Sequence, residues 1–296
     1  MARMNPSPVL LDGKATASVV RRELAARLAL LAARGVRPGL RILQVGDDPA
    51  STIYVASKAR ASARVGIDAR VERLSADADF AAIAGLIESW NLDQSVHGFI
   101  VQLPLPGHVD THAVLRLVNP DKDVDGLSPM SLGKLAAGQP GFMPATPLGI
   151  VELLLRHGIA IPGRRVVIVG RGDLVGRPLA SMLLLRGERG DATVTVCHSR
   201  TQDLGAVCRT AQILVVATGR ARLVTGEMVS EGVVVVDAGT NRVGDKLVGD
   251  VDFESIVGKA SAITPVPGGV GPMTVAMLLA NTVRAAELAA GMNGCD

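Results

Sequence analysis

Aromatic residues are nearly absent from this chain: four Phe, one Trp and one Tyr in 296 residues. Its cores must therefore be aliphatic, built from the Ala, Val, Leu and Ile that dominate a 48% hydrophobic composition. Cysteine is also scarce. Cys197, Cys208 and Cys295 form no CxxC pair and are odd in number, which excludes a disulfide framework and a cysteine zinc site and points to a reducing compartment, the cytoplasm. No apolar run approaches the ~20 residues that span a bilayer, and no N-terminal stretch has the order of a signal peptide. Charge is nearly balanced, at +3, and the arginines are scattered rather than gathered into a basic patch, so neither nucleic acid nor a membrane is an expected partner. His97, His108, His112 and His157 share no spacing with acids or cysteines, so no metal site is expected. Lysine is the last scarcity, with six against twenty-five arginines.

Short β-branched runs alternate with helical stretches. A helix over Lys14–Arg34 precedes a strand at Leu40–Val45. Asp48-Pro49 then starts a helix over Ala50–Val65. A strand at Ala69–Leu74, a helix at Phe80–Leu92 and a strand at Gly98–Leu103 follow, and this order implies a parallel, helix-covered sheet. Residues 119–149 are rich in Pro, Gly and Asp, poor ground for regular structure and a natural domain crossing. Leu148–His157 reads as a helix, and then the alternation restarts: strand Arg165–Val169, helix Val175–Leu185, and strands Thr193–Cys197, Ile213–Ala217 and Val233–Asp237. Gly239–Gly249 carries hairpin signals, and Pro272–Ala290 is a long last helix. The expected fold class is α/β in two domains. Residues 1–143 form an N-terminal parallel-sheet domain, joined by the C-terminal helix (about 272–296) packing back on it, and residues 144–271 form a Rossmann-type domain.

"VVIVGRGDLVGRP" places Gly170, Gly172 and Gly176 between a strand and a helix. A tight strand-to-helix turn needs a residue without Cβ, and the helix N-terminus offers free N–H groups to a pyrophosphate, so a dinucleotide site is expected here. The next strand ends in His198-Ser199-Arg200 with no carboxylate to bind a ribose diol. A hydroxyl and a guanidinium suit a 2′-phosphate, which favours NADP over NAD, and Arg171 in the turn can also serve it.

In "STIYVASKARA", Ser51, Tyr54 and Lys58 share one helix face, which Ala61 and Val65 extend, so the face is expected to turn inward. A lysine among apolar neighbours loses its charge more readily than a solvated one and can then exchange protons near neutral pH, which arginine cannot do. The only tyrosine offers a flat face for stacking and an OH for a hydrogen bond.

"VGDDPASTIYVASK", "HGFIVQLPLP", "PDKDVDG", "GRGDLVGRP", "GDVDF" and "ITPVPGGVGPMT" occur in this order and cover nearly the whole chain. Together they closely resemble the bifunctional methylenetetrahydrofolate dehydrogenase/cyclohydrolase family. The resemblance implies NADP-dependent oxidation of 5,10-methylenetetrahydrofolate to the methenyl form, hydrolysis of that form to 10-formyltetrahydrofolate, an active site in a cleft between the domains, and a homodimer joined through the nucleotide domain. By likeness, Lys58 is the acid/base of the hydrolysis and Gln102 hydrogen-bonds it. Asp125 holds the pterin ring. Tyr54 stacks on the folate beside Ser51, and Pro267, Gly268 and Gly269 contribute further to the substrate site. Gly170, Arg171, Gly172, Ser199 and Thr240 fall where the family contacts NADP, and Arg200, read above as a partner of the 2′-phosphate, completes the expected cofactor site. Three positions depart from the family's usual pattern: Gly172 for Ser in "GRS", Ala145 for Cys in "PCTP", and "DAGTN" for "DVGIN", which brings in Thr240. Two other readings remain open. One is a monofunctional NAD(P)-dependent dehydrogenase without hydrolysis, and the other is an inactive nucleotide-binding regulatory module.

Overall fold

The computed structural model describes residues 7–292. In chain order the elements are β1 (Val9–Leu10), α1 (Gly13–Ala33), β2 (Gly39–Val45), α2 (Pro49–Val65), β3 (Asp68–Leu74), α3 (Phe80–Leu92), β4 (Gly98–Val101), α4 (Thr111–Arg116), α5 (Pro129–Ala136) and α6 (Ala145–Arg156). Then come β5 (Arg165–Val169), α7 (Gly176–Leu183), β6 (Thr193–Cys197), α8 (Leu204–Arg209), β7 (Ile213–Val216), β8 (Val234–Asp237), β9 (Asn241–Val243), β10 (Lys246–Val248), α9 (Phe253–Ile256), β11 (Ala262–Ile263) and α10 (Val270–Ala289). They form two compact units. One is Ser18–Ala145 with the segment that begins at Val275; the other is Thr146–Thr274 with the segment that ends at Ala17.

The first unit is built on a parallel sheet of order β3-β2-β4. Central β2 is buried at all seven positions, as a strand covered on both faces must be. One face packs Leu43, Val45, Phe99 and Val101 against Ile83, Ile87 and Trp90 of α3, and Trp90 meets Phe99 edge-on at 5.4 Å. The connection from β2 to β3 is α2, and its ends are written in the sequence. Asp48 accepts the Ser51 N–H at 2.8 Å, Pro49 occupies the first turn, and Gly66 closes the helix with φ 93°. The segment from Val275 onward joins this unit, as expected of the last helix. Asn281, 5% exposed, donates to the carbonyls of Val124 (2.8 Å) and Met143 (3.1 Å), and Glu287 holds Arg27 in a two-pronged pair.

The second unit carries a parallel sheet of order β6-β5-β7-β8-β11-β1 over an aliphatic core that includes Val167, Val169, Leu214, Val216, Val235 and Ile263. The chain runs from β5 outward to β6 and then crosses back to β7 on the other side of β5. That reversal opens a crevice at the carboxyl ends of β5 and β7, where open α/β sheets bind ligands. The hairpin expected over Gly239–Gly249 is β9–β10, turning at Gly244.

Two expectations change. Residues 119–149 are not devoid of regular structure, because α5 and the start of α6 lie within them. Pro129 sits at the first turn of α5, where its missing N–H costs nothing, and the Ser128 hydroxyl accepts from Ser131 N at 3.2 Å as the cap. The first strand of the chain, β1, pairs with β11 through Val9↔Ala262 and Leu10↔Ile263, so the segment ending at Ala17 belongs with the nucleotide-type sheet rather than with residues 18–143. Two-residue strands carry no periodicity that a sequence can reveal.

Candidate functional site

In the first unit, α2 brings Lys58 to the carboxyl end of the three-stranded sheet. Lys58 is 9% exposed, and its Nζ donates to Gln102 Oε1 at 3.1 Å. Gln102 follows β4. Its N–H is anchored on Leu43 O at 2.8 Å, and its Nε2 donates to Leu103 O at 2.8 Å, which fixes the amide with its oxygen toward the lysine. The buried stripe of α2 differs from the expected one. It runs through Ser51, Val55, Lys58 and Ser62, while Tyr54 stands at its flank, 43% exposed, with Ala61 and Val65 half-buried. The ring is therefore open to a ligand while the lysine is held inside.

Asp125 stands half-buried at the crown of a tight loop, 123–128. Burial pushes its carboxyl above the ordinary Asp range. The Lys58 charge pulls it back down, and the neighbouring Asp123 pushes it up. The loop is fixed from several sides. Asp123 is buried, and its carboxylate accepts from Leu127 N (3.3 Å) and Ser128 N (2.8 Å). Gly126 has φ 68°, and a Cβ there would lie 2.6 Å from Met143 C, so only glycine fits. Lys58, Gln102 and Asp125 are thus gathered in one unit, with Ser51 and Tyr54 on the helix that carries the lysine. An amine held on an amide oxygen near a carboxylate is a group placed to move protons.

In the second unit, the candidate cofactor residues lie along the carboxyl edge of the six-stranded sheet. Gly170 follows β5 with φ 124°, and a Cβ there would sit 2.1 Å from Ala217 O. A Cβ on Gly176 would meet Gly170 O at 2.1 Å, whereas Gly172 faces open space. The first and third glycines are therefore demanded by packing, and the second leaves room beside the turn. No side chain caps α7 at Val175, although Arg177 N already donates to Gly172 O at 3.2 Å and Pro178 carries no N–H. After β6, Thr201 Oγ1 accepts the His198 N–H at 2.8 Å and His198 Nδ1 accepts from Arg200 N at 3.1 Å, which presents Ser199 and Arg200 on an ordered, exposed turn. This turn and the Gly170–Gly172 cradle at the start of α7 match the needs of a phosphorylated dinucleotide.

Thr240 is exposed on the loop after β8, which two buried aspartates organise. Asp237 accepts from Gly239 N, Asp250 N and Val251 N at 2.9–3.0 Å. Asp250 in turn accepts from the backbone of Thr218 and Gly219, from the Thr218 hydroxyl and from Asn241 Nδ2. Burial pushes the Asp237 carboxyl up to about 6, against the pull of its three N–H donors. In the same unit Pro267 is exposed, while Gly268 (φ 116°) and Gly269 are buried. The Gly268 carbonyl accepts from Lys14 N at 3.1 Å.

Sequence reasoning missed Asp123, Asn281 and the Asp237–Asp250 pair. Asp123 lies in "KDVDG", Asp250 in "GDVDF" and Asp237 in "DAGTN", and the one turn signal there, an Asp before Gly, belongs to Asp125 rather than to any of them.

Comparison with known proteins bears on both units. Residues 11–125 match the family model for the tetrahydrofolate dehydrogenase/cyclohydrolase catalytic domain, and residues 144–290 match that for the NAD(P)-binding domain of the same family. The chain is 52% identical over 279 residues to the "Bifunctional protein FolD" of Moorella thermoacetica, covering 94% of this chain and 98% of that one. Among solved structures it is similar to the bifunctional FolD methylenetetrahydrofolate dehydrogenase/cyclohydrolase of Campylobacter jejuni (46% identity, TM-score 0.92, 95% of this chain and 99% of that one). It is also similar to the Trypanosoma brucei FolD complexed with NADP cofactor and inhibitor (39% identity, TM-score 0.92, 97% of this chain and 99% of that one).

Proposed function

This chain belongs to the tetrahydrofolate dehydrogenase/cyclohydrolase family, and from that premise we propose how its residues divide the work of two reactions. The first oxidises 5,10-methylenetetrahydrofolate to the methenyl form, and the second hydrolyses that form to 10-formyltetrahydrofolate. NADP supplies the hydride acceptor of the first. Loss of hydride leaves a cation delocalised over N5, the bridging carbon and N10, and this step asks the protein for alignment more than for an acid or base. Tyr54 stacks on the flat substrate, Ser51 lines the same helix, and the Asp125 carboxylate accepts from the N–H-rich edge of the pterin. The turn at Pro267, Gly268 and Gly269 is a further substrate contact.

Hydrolysis needs proton traffic. Water adds to the cationic carbon and loses a proton to Lys58. As the carbon–N5 bond breaks, the hydroxyl proton leaves and N5 gains one, giving a formyl group on N10 and one released proton overall. Gln102 keeps the amine aimed at the reacting atoms. The 3.1 Å Lys58–Gln102 bond on a buried lysine is the observation that carries this reading. A dehydrogenase without hydrolysis has no use for that pair, and an inactive module has none for Asp125 either.

Gly170, Arg171 and Gly172 hold the pyrophosphate at the start of α7, Ser199 and Arg200 take the 2′-phosphate, and Thr240 lines the cofactor loop. A charge-assisted contact contributes about 1.5–3 kcal/mol. Arg200→Ala accordingly raises KM for NADP by ~10- to 100-fold and leaves KM for NAD unchanged, as steady-state rates with each cofactor will show. Equal effects on both would remove Arg200 from the phosphate site.

The working form is a homodimer joined through the nucleotide-binding unit. Among the described residues β6 ends the sheet with one edge unpaired, its Val196 is 37% exposed, and Leu184 at the end of the adjacent α7 is 64% exposed. Sedimentation is expected to give a dimer for the parent and a monomer for Val196→Lys, and a parental monomer would contradict it. No helix among the described residues is long and apolar enough to cross a membrane. The buried free thiols of Cys197 and Cys208 suit a reducing cytoplasm.

A further inference from the structure

Asp123 stands two residues from Asp125, yet it takes no part in the reactions as described. It is 3% exposed, a burial that a carboxylate tolerates only with specific partners. Its backbone is pinned to β4 by a parallel bridge with Phe99, and Phe99 N donates to Lys122 O at 3.0 Å. Its side chain reaches forward across the loop: Oδ1 accepts from Leu127 N at 3.3 Å and Oδ2 from Ser128 N at 2.8 Å. Gly126 N donates to Asp123 O at 3.0 Å, so both the backbone and the side chain of Asp123 close the same turn. Ser128 then caps α5, and on the other side of the loop Asn281 takes the carbonyls of Val124 and Met143. Asp125 is the residue that this closed loop lifts to its crown.

We propose that Asp123 is the positioning residue for Asp125, closing the 123–128 loop through its carboxylate so that the Asp125 carboxylate is presented to the pterin. The proposal rests on the reading of Asp125 as a substrate contact. It goes further by giving Asp123 two tasks. One is geometric, the loop closure. The other is electrostatic, because a buried negative charge beside Asp125 makes that carboxyl harder to ionise. The charged groups bearing on Asp125 are Lys58 from α2, which favours its ionised form, and Asp123 from the loop itself, which opposes it. Substrate binding that needs the ionised carboxylate therefore weakens as pH falls, and Asp123 sets how early in the descent this happens.

Asp123→Asn separates the two tasks. It keeps the shape of the side chain and one acceptor oxygen, enough for the 2.8 Å bond from Ser128 N, gives up the longer 3.3 Å bond from Leu127 N, and removes the charge. The KM for 5,10-methylenetetrahydrofolate, measured across acidic pH, is expected to begin its rise at lower pH than in the parent, with kcat little changed. Asp123→Ala removes both tasks and raises KM at neutral pH by ~10-fold or more, the effect of losing a hydrogen bond to a charged group. Asn restores most of that loss. A merely structural Asp123 also predicts rescue by Asn, but not a displaced pH profile, so an Asn variant with the parental profile overturns the proposal. The profile of the Asn variant carries the test even if the Ala variant does not fold. Asp125→Asn distinguishes the two levels of failure. If it raises KM and abolishes the acidic limb while Asp123→Asn leaves that limb in place, only the role of Asp123 is lost. If it changes neither, the reading of Asp125 as a substrate contact falls, and this proposal with it.

Discussion

Lys58→Arg hydrolyses 5,10-methenyltetrahydrofolate at least ~100-fold more slowly than the parent chain, the usual scale for loss of a positioned acid–base group, while its affinity for NADP is unchanged. Arginine reproduces the protonated form of Lys58 and much of its stem, so packing and the charge of that form are nearly held constant. What it cannot do is give up its proton. It also brings a planar fork where Gln102 now receives a single N–H from Lys58 at 3.1 Å. The comparison therefore isolates proton transfer from mere electrostatics. NADP affinity is the control because Gly170, Gly172 and Ser199 lie in the other unit from Lys58. Hydride transfer in this variant falls far less than hydrolysis, since it draws on alignment by Tyr54 and Asp125. If Lys58→Arg hydrolyses at the parental rate, the lysine is not the acid/base.

The complementary change is Gly170→Val. Gly170 has φ 124°, a conformation that L side chains rarely adopt, and a Cβ would be 2.1 Å from the Ala217 carbonyl oxygen. That neighbour is backbone in the sheet and has no rotamer to yield. Strain of this kind costs about 1–3 kcal/mol before the clash is counted. The turn must therefore move, and with it the cradle of the pyrophosphate. NADP affinity, read by titration of the intrinsic or cofactor fluorescence, is expected to fall by ~100-fold or more. Hydrolysis of methenyltetrahydrofolate supplied directly is expected to persist, because Lys58, Gln102 and Asp125 belong to the other unit. Retained hydrolysis also shows that the variant folds. Parental NADP affinity in Gly170→Val would remove the glycine turn from the cofactor site.

Much of this architecture is legible in the sequence because its signals are local. Strands such as Arg165–Val169 are β-branched runs between turns, and α2 announces itself by Asp48-Pro49 and Gly66. The Lys58–Gln102 pair is different. Its members are 44 residues apart, and only the family likeness linked them before the fold set α2 beside the end of β4. Tyr54 was expected inside and is found at the flank of the buried stripe, because an alanine-rich helix has a blurred apolar face. Asn281 was invisible for a stronger reason. It meets Val124 from 157 positions away, and a lone Asn in a helix gives no hint of the carbonyls it will satisfy. The same holds for β1 and β11, which exist as strands only because the sheet is there to pair with them.

One measurement reaches the central claim that a single chain with one lysine–glutamine pair and one nucleotide fold runs both reactions. The unmodified protein is mixed with NADP and 5,10-methylenetetrahydrofolate, and NADPH and the methenyl species are followed by absorbance in the same cuvette. NADPH is expected to accumulate while methenyl fails to keep pace, disappearing faster than it does in enzyme-free buffer as 10-formyltetrahydrofolate forms. NADPH accumulating in step with methenyl, with methenyl then decaying only at the enzyme-free rate, would contradict the account.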